Sequence, residues 1–373
     1  MTSEAHYLSR QAKLGKALIE AGLDALALNP GPGMIYLTGL HFHLMERPTL
    51  AIFVPGEPVM LVMPEFETAK TVGLTYPLQA FSYGDNPAAW HEAFEQASQK
   101  LGLDGMKIGV EPARLRVMEL RYLETAAPKA QFLPGEKGLA SLRVQKDESE
   151  IAAMRKAVDI AQRAVIATLS FVQIGMTEHD LATELILQML RAGADPEIPF
   201  SPNVSFGANT ANPHANPSQR DLRPGDLLLI DWGCSYQGYI SDLTRTFAIG
   251  KVEAEFARIA QIVAEANAVG RAACRPGVEA GEVDRSGRQV IEKAGYGPYF
   301  THRLGHGIGM EVHEDPYIFV ENPLILRKGM TFTVEPGIYL PGRGGVRIED
   351  NMVITETGAE SLSDLPRNLT RVA

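Results

Sequence analysis

The sequence predicts a protein in two parts, an α/β first third followed by a larger α+β part with antiparallel sheet. Its 373 residues are enough for about two domains of roughly 150 residues each. The first third alternates helical and strand patterns, whereas the remainder groups helices between hairpin-like strand pairs. A Pro- and Gly-containing stretch then leads into a long charged amphipathic helix, which places the boundary near residue 136 and the domains at 1–136 and 137–373.

The first third begins with a predicted helix at roughly 6–22. Short apolar runs punctuated by Gly, Pro and Asn follow and are typical of strands: "LDALALN", "MIYLTGL", "TLAIFVPG" and "PVMLVMP". A helical pattern, "PAAWHEAFEQASQKLG", precedes the strand-like "KIGVEP". The glycines of "NPGPGMIYLTG" lack the GxGxxG spacing and a following helix, so they predict a turn and not a phosphate-binding loop.

The second part contains an internal repeat. "LRPGDLLLIDWG" (222–233) aligns without gaps with "LRKGMTFTVEPG" (326–337), and each copy is a turn feeding an apolar strand that ends in an acid and a Gly. Asp231 and Glu335 occupy the same slot of the two copies. The repeat therefore predicts two related half-domains that each present a carboxylate to a shared centre. Helical patterns such as "EHDLATELILQMLRAG", and a helix pair at about 252–294, accompany the two halves.

The overall composition excludes several classes of function. Hydrophobic residues make up 45% and charged residues 21%, as in ordinary globular proteins, and the net charge of −10 disfavours nucleic-acid binding. Two cysteines without CxxC spacing fit a reducing compartment. The N-terminus lacks the apolar region of a signal peptide, and no apolar run approaches the roughly 18 residues of a membrane span. We therefore expect a soluble cytoplasmic protein without membrane partners.

Several acids stand in apolar strand patterns, where acids are rare unless paired, hydrogen-bonded or bound to a metal. Four carboxylates brought together would repel each other, and a pair of divalent ions would supply the compensating charge. An oxygen-rich set with one imidazole suits Mn²⁺, Co²⁺ or Zn²⁺, and hydrolysis is the leading chemistry. The side chains that could point into such a shared site are those of Asp231, Asp242, His306, Glu335 and Glu349. Glu349 lies on the same strand face as Arg347.

Each of these residues also has a structural interpretation when taken alone. Asp231 could be a solvated acid that caps a turn, and Asp242 could pair with Arg245. His214 in "NPHANP" could be an ordinary loop histidine, and His313 could belong to an exposed cluster with its acidic neighbours. The joint pattern, and no single residue, favours a site.

Three motifs resemble those of the pita-bread metallopeptidases, the group that holds methionine aminopeptidase, prolidase and aminopeptidase P. They are "DWGCSYQGYISDLTRTF", "HRLGHGIGMEVHEDP" and "TVEPGIYLPGRGGVRIED", and the resemblance covers about 140–365. The first third resembles the creatinase-type N-terminal domain. The resemblance implies a pita-bread fold with a pseudo-two-fold repeat and a site for two divalent ions, with Mn²⁺ favoured and Zn²⁺ or Co²⁺ as alternatives.

The same resemblance implies the metal ligands. Asp242 and Glu349 would bridge the two ions, Asp231 would chelate one, and His306 with Glu335 would complete the other. A metal-bridged hydroxide would attack the carbonyl before proline, with Glu335 as proton shuttle.

The resemblance also implies roles for residues around the ions. His214 would contact the substrate and stabilise the tetrahedral intermediate, and His313 would hydrogen-bond the substrate near the scissile bond. His302 would line the proline pocket, and Arg347 would either support the metal ligands or be a substrate-side group beside its strand neighbour Glu349.

The preferred substrate depends on which member of the group the chain resembles more. Methionine aminopeptidases usually lack a comparable N-terminal domain, and creatinase-like enzymes lack the ligand set. This leaves an Xaa-Pro dipeptidase (prolidase) or an aminopeptidase P acting on longer proline-containing peptides, and the short N-terminal domain favours the dipeptidase. A dipeptidase must bind the free carboxylate of proline, and Arg47 in "GLHFHLMERPTL" is a candidate supplied across a homodimer interface. A non-catalytic peptide-binding module is the remote alternative, disfavoured by the intact ligand set.

Overall fold

The computed structural model describes residues 4–372 and separates into two compact units, Met1–Arg143 and Val144–Ala373. Each unit has its own sheets and its own buried core, as expected for independent domains.

The first unit is a six-stranded mixed sheet with helices, in the strand order β4-β3-β2-β1-β5-β6. The pairs β1/β2 and β2/β3 are antiparallel, whereas β1/β5, β5/β6 and β3/β4 are parallel. Buried side chains of α3 and α4 pack against the sheet. The elements are α1 (Glu4–Glu20), β1 (Ala25–Leu28), α2 (Pro32–Thr38), β2 (Leu50–Phe53), β3 (Val59–Pro64), β4 (Leu78–Tyr83), α3 (Trp90–Leu101), β5 (Lys107–Val110), α4 (Val117–Ala126), β6 (Gln131–Pro134) and α5 (Glu136–Arg143).

The segment "MIYLTGL" is helical, so its prediction as a strand, with a turn but no helix after the glycines, was wrong. Helix α2 begins at Pro32, where the fixed φ of proline suits the first helical turn. The Thr38 hydroxyl donates to the Met34 carbonyl at 2.6 Å, and Gly39 ends the helix with a φ of 72°. Ile, Tyr and Thr favour strands by propensity, but proline placement and tertiary packing override that preference here.

The second unit contains two half-sheets, each with a helix pair. Strands β19-β11-β8-β7 form one half and β13-β12-β14-β17-β18 the other, and β9/β10 and β15/β16 are separate hairpins. The elements are α6 (Glu148–Leu169), α7 (Glu178–Arg191), β7 (Asn203–Phe206), β8 (Leu227–Trp232), β9 (Ser235–Tyr236), β10 (Tyr239–Ile240), β11 (Leu243–Ala248), α8 (Ala254–Ala273), α9 (Ala280–Lys293), β12 (Gly305–Gly307), β13 (Glu314–Ile318), β14 (Thr331–Val334), β15 (Gly337–Leu340), β16 (Gly344–Arg347), β17 (Asp350–Ile354), β18 (Ala359–Ser361) and β19 (Thr370–Arg371).

The internal repeat of the sequence is a structural repeat. Leu222 and Leu326 are both fully buried, and each donates its backbone N–H to the segment that precedes the second helix of its half. Gly225 and Gly329 both adopt a left-handed φ, of 88° and 82°, in the turn that enters β8 or β14. Helices α6 and α7 cover the core of the first half, and α8 and α9 cover that of the second. Within residues 4–372, no helix is both long and apolar enough to span a membrane.

Candidate metal centre and catalytic cavity

The five predicted ligands lie on one cavity of about 590 Å³, and both half-sheets contribute to it. Asp231 lies in β8, and Asp242 directly precedes β11, so the first half presents two carboxylates. The second half presents His306 from β12, Glu335 just after β14, and Glu349 between β16 and β17. The predicted convergence of these side chains is thus present in the fold, although their role as ligands stays a prediction.

The donor atoms of this group are close enough to share metal ions. His306 Nε2 lies 3.2 Å from Glu335 Oε1 and 3.7 Å from Asp242 Oδ2. Donor atoms of Asp242, His306 and Glu349 all lie within 4.8 Å of one another. His306 Nδ1 is 3.1 Å from the Gly307 carbonyl oxygen, and a proton held there leaves Nε2 free to bind a metal.

Glu349 carries the clearest sign that a cation belongs in this group. Its Oε2 accepts a hydrogen bond of 2.7 Å from the Thr244 hydroxyl. Its Oε1 is buried and, among the described residues, has no hydrogen-bond partner. A buried carboxylate oxygen without a partner is strongly destabilising, and a divalent ion would compensate it. Four carboxylates and one imidazole therefore fit divalent metal ions that prefer oxygen and nitrogen donors.

Without metal, the electrostatics of the cavity oppose ionisation of its acids. Burial, followed by the charges of Glu349 and Asp231, raises the pKa of Asp242 well above its ordinary value. Burial, followed by the charges of Glu335 and Asp231, does the same to the pKa of Glu349. Burial raises the pKa of Glu335 to about 7, although Arg347 opposes the shift.

The metal-free protein should therefore lose stability as the pH rises above 6.5. Burial lowers the pKa of His306 to about 3. The contribution of His306 to folding stability therefore rises with pH up to its unfolded pKa of 6.5 and is constant above it. The pKa of Glu335 rises from 4.5 to about 7 on folding, so its contribution to folding stability falls as the pH rises through this range. The raised pKa values of Asp242 and Glu349 also make stability fall as the pH rises. The urea concentration at the midpoint of unfolding, measured in the presence of a chelator, should fall as the pH is raised from 6.5 to 7.5. A rise over this interval would contradict the assignment of buried, uncompensated carboxyls.

Hydrogen bonds from β17 and β11 hold two of the acids in place. Asn351 clamps Asp242, accepting from its N–H at 3.0 Å and donating to its carbonyl at 2.6 Å. Arg245 donates to the Glu349 carbonyl at 2.6 Å and pairs with Asp350 at 2.8 Å. Arg245 is thus the partner of Asp350 and not of Asp242, which removes the structural alternative for Asp242. Asn351 was missed in the sequence, although a polar residue in an apolar strand pattern was a usable signal.

A chain of hydrogen bonds runs from His302 to Asp231. His302 Nε2 lies 2.9 Å from the Tyr339 hydroxyl, which lies 3.0 Å from an Arg347 guanidinium nitrogen. Arg347 also donates to Asp231 Oδ2 at 2.6 Å and to the Thr244 hydroxyl at 3.0 Å. Arg347 therefore orients Asp231, and its contact with substrate stays a prediction. Tyr339 was not identified from the sequence, because a tyrosine in a strand pattern usually signals packing alone.

The loop that carries His214 is anchored by a buried carboxylate. His214 lies on the cavity wall with an exposed side chain. Glu178, which is fully buried, accepts hydrogen bonds from the Phe206 N–H, the Asn209 amide and both the N–H and the hydroxyl of Ser218. Glu178 thereby fixes both ends of the loop. It was missed because an acid in the first turn of a helix is ordinarily a helix-start signal.

The two remaining predicted histidines also lie on the cavity. The His313 ring meets the His306 ring edge to face, with centroids 4.2 Å apart, and burial followed by the charge of Arg303 lowers the pKa of His313. Burial followed by Arg347 lowers the pKa of His302 to about 3, so this imidazole is uncharged at neutral pH.

Arg47 belongs to the first unit and is engaged there. Its guanidinium donates to Asp85 at 2.7 and 3.1 Å, pairs with Glu46, and lies over the Phe66 ring at 5.4 Å. Its side chain retains 27% exposure. Its role in substrate binding stays a prediction.

Known proteins resemble this chain over almost its whole length. A model of metallopeptidase family M24 matches residues 152–356, and a model of the creatinase/prolidase N-terminal domain matches residues 10–145. A protein described as Xaa-Pro dipeptidase from Pyrococcus horikoshii is 34% identical over 355 residues, which are 93% of this chain and 94% of that protein.

Solved structures show the same relationship. The crystal structure of a dipeptidase from Pyrococcus horikoshii has a TM-score of 0.92 and 35% identity, covering 97% of this chain and 100% of that chain. An X-Pro aminopeptidase from Thermotoga maritima has a TM-score of 0.85 and 29% identity, covering 97% and 99%. These likenesses confirm the predicted pita-bread fold. With a family model over more than half of its residues and a long relative above 30% identity, the chain belongs to metallopeptidase family M24.

Proposed function

We propose that this protein is a metal-dependent Xaa-Pro dipeptidase. The observation that carries the proposal is the convergence of four carboxylates and His306 on one cavity whose wall also holds three further histidines. The relatives described as dipeptidases support the same reaction.

The five converging residues would hold two divalent ions, with Asp242 and Glu349 shared between them. We favour Mn²⁺, with Zn²⁺ or Co²⁺ as alternatives, because the donors are mostly oxygen with one imidazole. When bound, the ions would supply Lewis acidity at the scissile carbonyl and lower the pKa of a nearby water.

The surrounding residues bind the substrate and move protons. Glu335 takes the proton of the attacking water and passes it to the proline nitrogen as the peptide bond breaks. His214 and His313 donate hydrogen bonds to the substrate and to the negative charge that develops on the carbonyl oxygen. His302, being neutral, suits an apolar proline ring, and its ring packs edge to face with the Phe300 ring, with centroids 5.0 Å apart.

The decisive experiment compares Ala-Pro with Ala-Pro-Ala on metal-loaded protein. We expect kcat/KM for the dipeptide to equal or exceed that for the tripeptide. Activity on the tripeptide alone would favour an aminopeptidase P, a second candidate supported by the likeness to the Thermotoga maritima enzyme. Cleavage of neither peptide would favour a non-catalytic peptide-binding module.

Arg47 is also proposed as a determinant of dipeptide selectivity. Its charge and planar fork suit a carboxylate, and it would act from another copy of the chain in a homodimer. The Arg47→Ala variant should lose Ala-Pro cleavage while its Ala-Pro-Ala cleavage changes little. Unchanged dipeptide kinetics would remove Arg47 from substrate recognition.

We further infer a cytoplasmic homodimer. Cys234 and Cys274 are both buried free thiols, which fits a reducing compartment. Light scattering should give about twice the mass of the 40.6 kDa chain. A mass equal to one chain would contradict the dimer and the role of Arg47 across it.

A further inference from the structure

We propose that Arg303 binds the free α-carboxylate of the dipeptide substrate. This inference rests on the proposed dipeptidase function and assigns one step of its substrate recognition to a residue of the cavity itself.

Two arginines line the cavity, and they differ in how far they are engaged. The Arg347 side chain is only 3% exposed and donates to Asp231, Tyr339 and Thr244. Arg303 is half-buried, and its guanidinium forms a cation–π interaction with Tyr317, in which the guanidinium carbon lies 4.4 Å from the ring centroid. Among residues 4–372, no carboxylate forms an ion pair with Arg303. Its guanidinium donors are therefore available to a ligand.

The charge of the occupied site also leaves Arg303 without a counter-ion. Two divalent ions would carry four positive charges against the four carboxylates, so the charges of the two arginines would remain, and Arg347 already lies 2.6 Å from Asp231. A singly charged anion in the cavity would offset part of this remaining positive charge, and the C-terminal carboxylate of a dipeptide is such a group.

Arg303 lines the same cavity as the residue proposed to line the proline pocket. Arg303 directly follows His302, the residue proposed to line the proline pocket. In an Xaa-Pro dipeptide the free carboxylate is bonded to the α-carbon, which is an atom of the proline ring, so a cation beside the proline pocket would lie close to this carboxylate. The Tyr317 ring stacks against the guanidinium and restricts its orientation, which favours the bidentate carboxylate geometry of arginine. In a longer peptide an uncharged amide occupies this place, and Arg303 would discriminate against it.

The test uses Ala-Pro and its carboxamide, Ala-Pro-NH₂, on metal-loaded wild type, Arg303→Ala, Arg303→Lys and Arg47→Ala. We expect Arg303→Ala to lower kcat/KM for Ala-Pro by about 10- to 100-fold, mainly through KM, as for the loss of a charged hydrogen bond. Cleavage of the carboxamide should change by less than about threefold, because it lacks the carboxylate. Arg303→Lys should recover part of the Ala-Pro activity, since it restores the charge without the fork. Arg155→Ala is the matched control, because Arg155 is an exposed arginine paired with Glu360.

Four results would overturn the proposal. An equal loss on both substrates would show that Arg303 acts on the site as a whole. Unchanged Ala-Pro kinetics in Arg303→Ala, or a selective loss in Arg47→Ala alone, would assign the carboxylate elsewhere while the dipeptidase function stands. Wild type that cleaves neither substrate would overturn the proposed function and this inference with it.

Discussion

The Asp242→Asn variant should lose Ala-Pro cleavage by more than about 10³-fold and should fail to hold two metal ions. Asp242 is the ligand proposed to be shared by the two ions, and it is only 5% exposed. Asn351 fixes its backbone through hydrogen bonds to both its N–H and its carbonyl. An amide in this place lacks the negative charge that two cations share. Metal ions contribute several kcal/mol to the transition state, and each ~1.4 kcal/mol changes the rate tenfold. Kinetics and metal analysis of the purified variant measure both effects.

The same substitution should stabilise the metal-free fold. Burial and neighbouring carboxylates raise the pKa of Asp242, so its ionised form disfavours folding at neutral pH, and asparagine removes that charge. Urea midpoints in chelator should therefore be higher for Asp242→Asn than for wild type. Asp364→Asn, a change at an exposed acid of the same unit, should alter neither activity nor midpoint. A variant that keeps two ions and full activity would remove Asp242 from the metal centre.

The Glu335→Gln variant should lower kcat by about 10²- to 10⁴-fold, which is the usual contribution of a general acid–base group. Glu335 lies 3.2 Å from His306 Nε2, and the Thr333 hydroxyl donates to its Oε1 at 3.0 Å, so its carboxylate is held at the edge of the proposed ion site. Glutamine keeps the shape and one carbonyl oxygen but cannot carry a proton between water and the leaving nitrogen.

Metal content must be followed in the same preparation, because Glu335 is also a proposed ligand. At saturating Mn²⁺ we expect a large fall in kcat with a smaller change in KM, since proton transfer matters mainly in the transition state. Glu356→Gln is the control, because Glu356 is exposed and pairs with Lys328. Wild-type kcat with bound metal would show that Glu335 is not the proton shuttle.

Much of the fold was readable from the sequence, because the repeat and the strand-terminating acids leave local signals. The twelve-residue repeat predicted two half-domains, and Gly225 and Gly329 have matching left-handed turns. Local reasoning failed at "MIYLTGL", where β-branched and aromatic residues suggested a strand and packing favours helix α2. Strand period two placed Arg347 and Glu349 on one face. The chain leaves strand geometry between β16 and β17, yet both side chains still line the cavity.

Of the candidate site, only the residues within the sequence motifs could be predicted. Asp231, Asp242, His306, Glu335 and Glu349 are recognisable because acids and imidazoles are unusual in apolar strands. Their supporting residues carry no such local signal. Glu178 resembles a helix-start acid, Tyr339 a packed aromatic, and Arg303 a surface cation, and each acquires a role only when distant segments meet.

The most direct test of a metal-dependent Xaa-Pro dipeptidase is the initial rate of Ala-Pro hydrolysis through a cycle of chelation and metal return. We expect the rate to fall to background when metal is removed and to recover on addition of Mn²⁺, with two ions bound per chain. A rate that is unaffected by complete metal removal, or metal-loaded protein that never cleaves Ala-Pro, would contradict the proposed function.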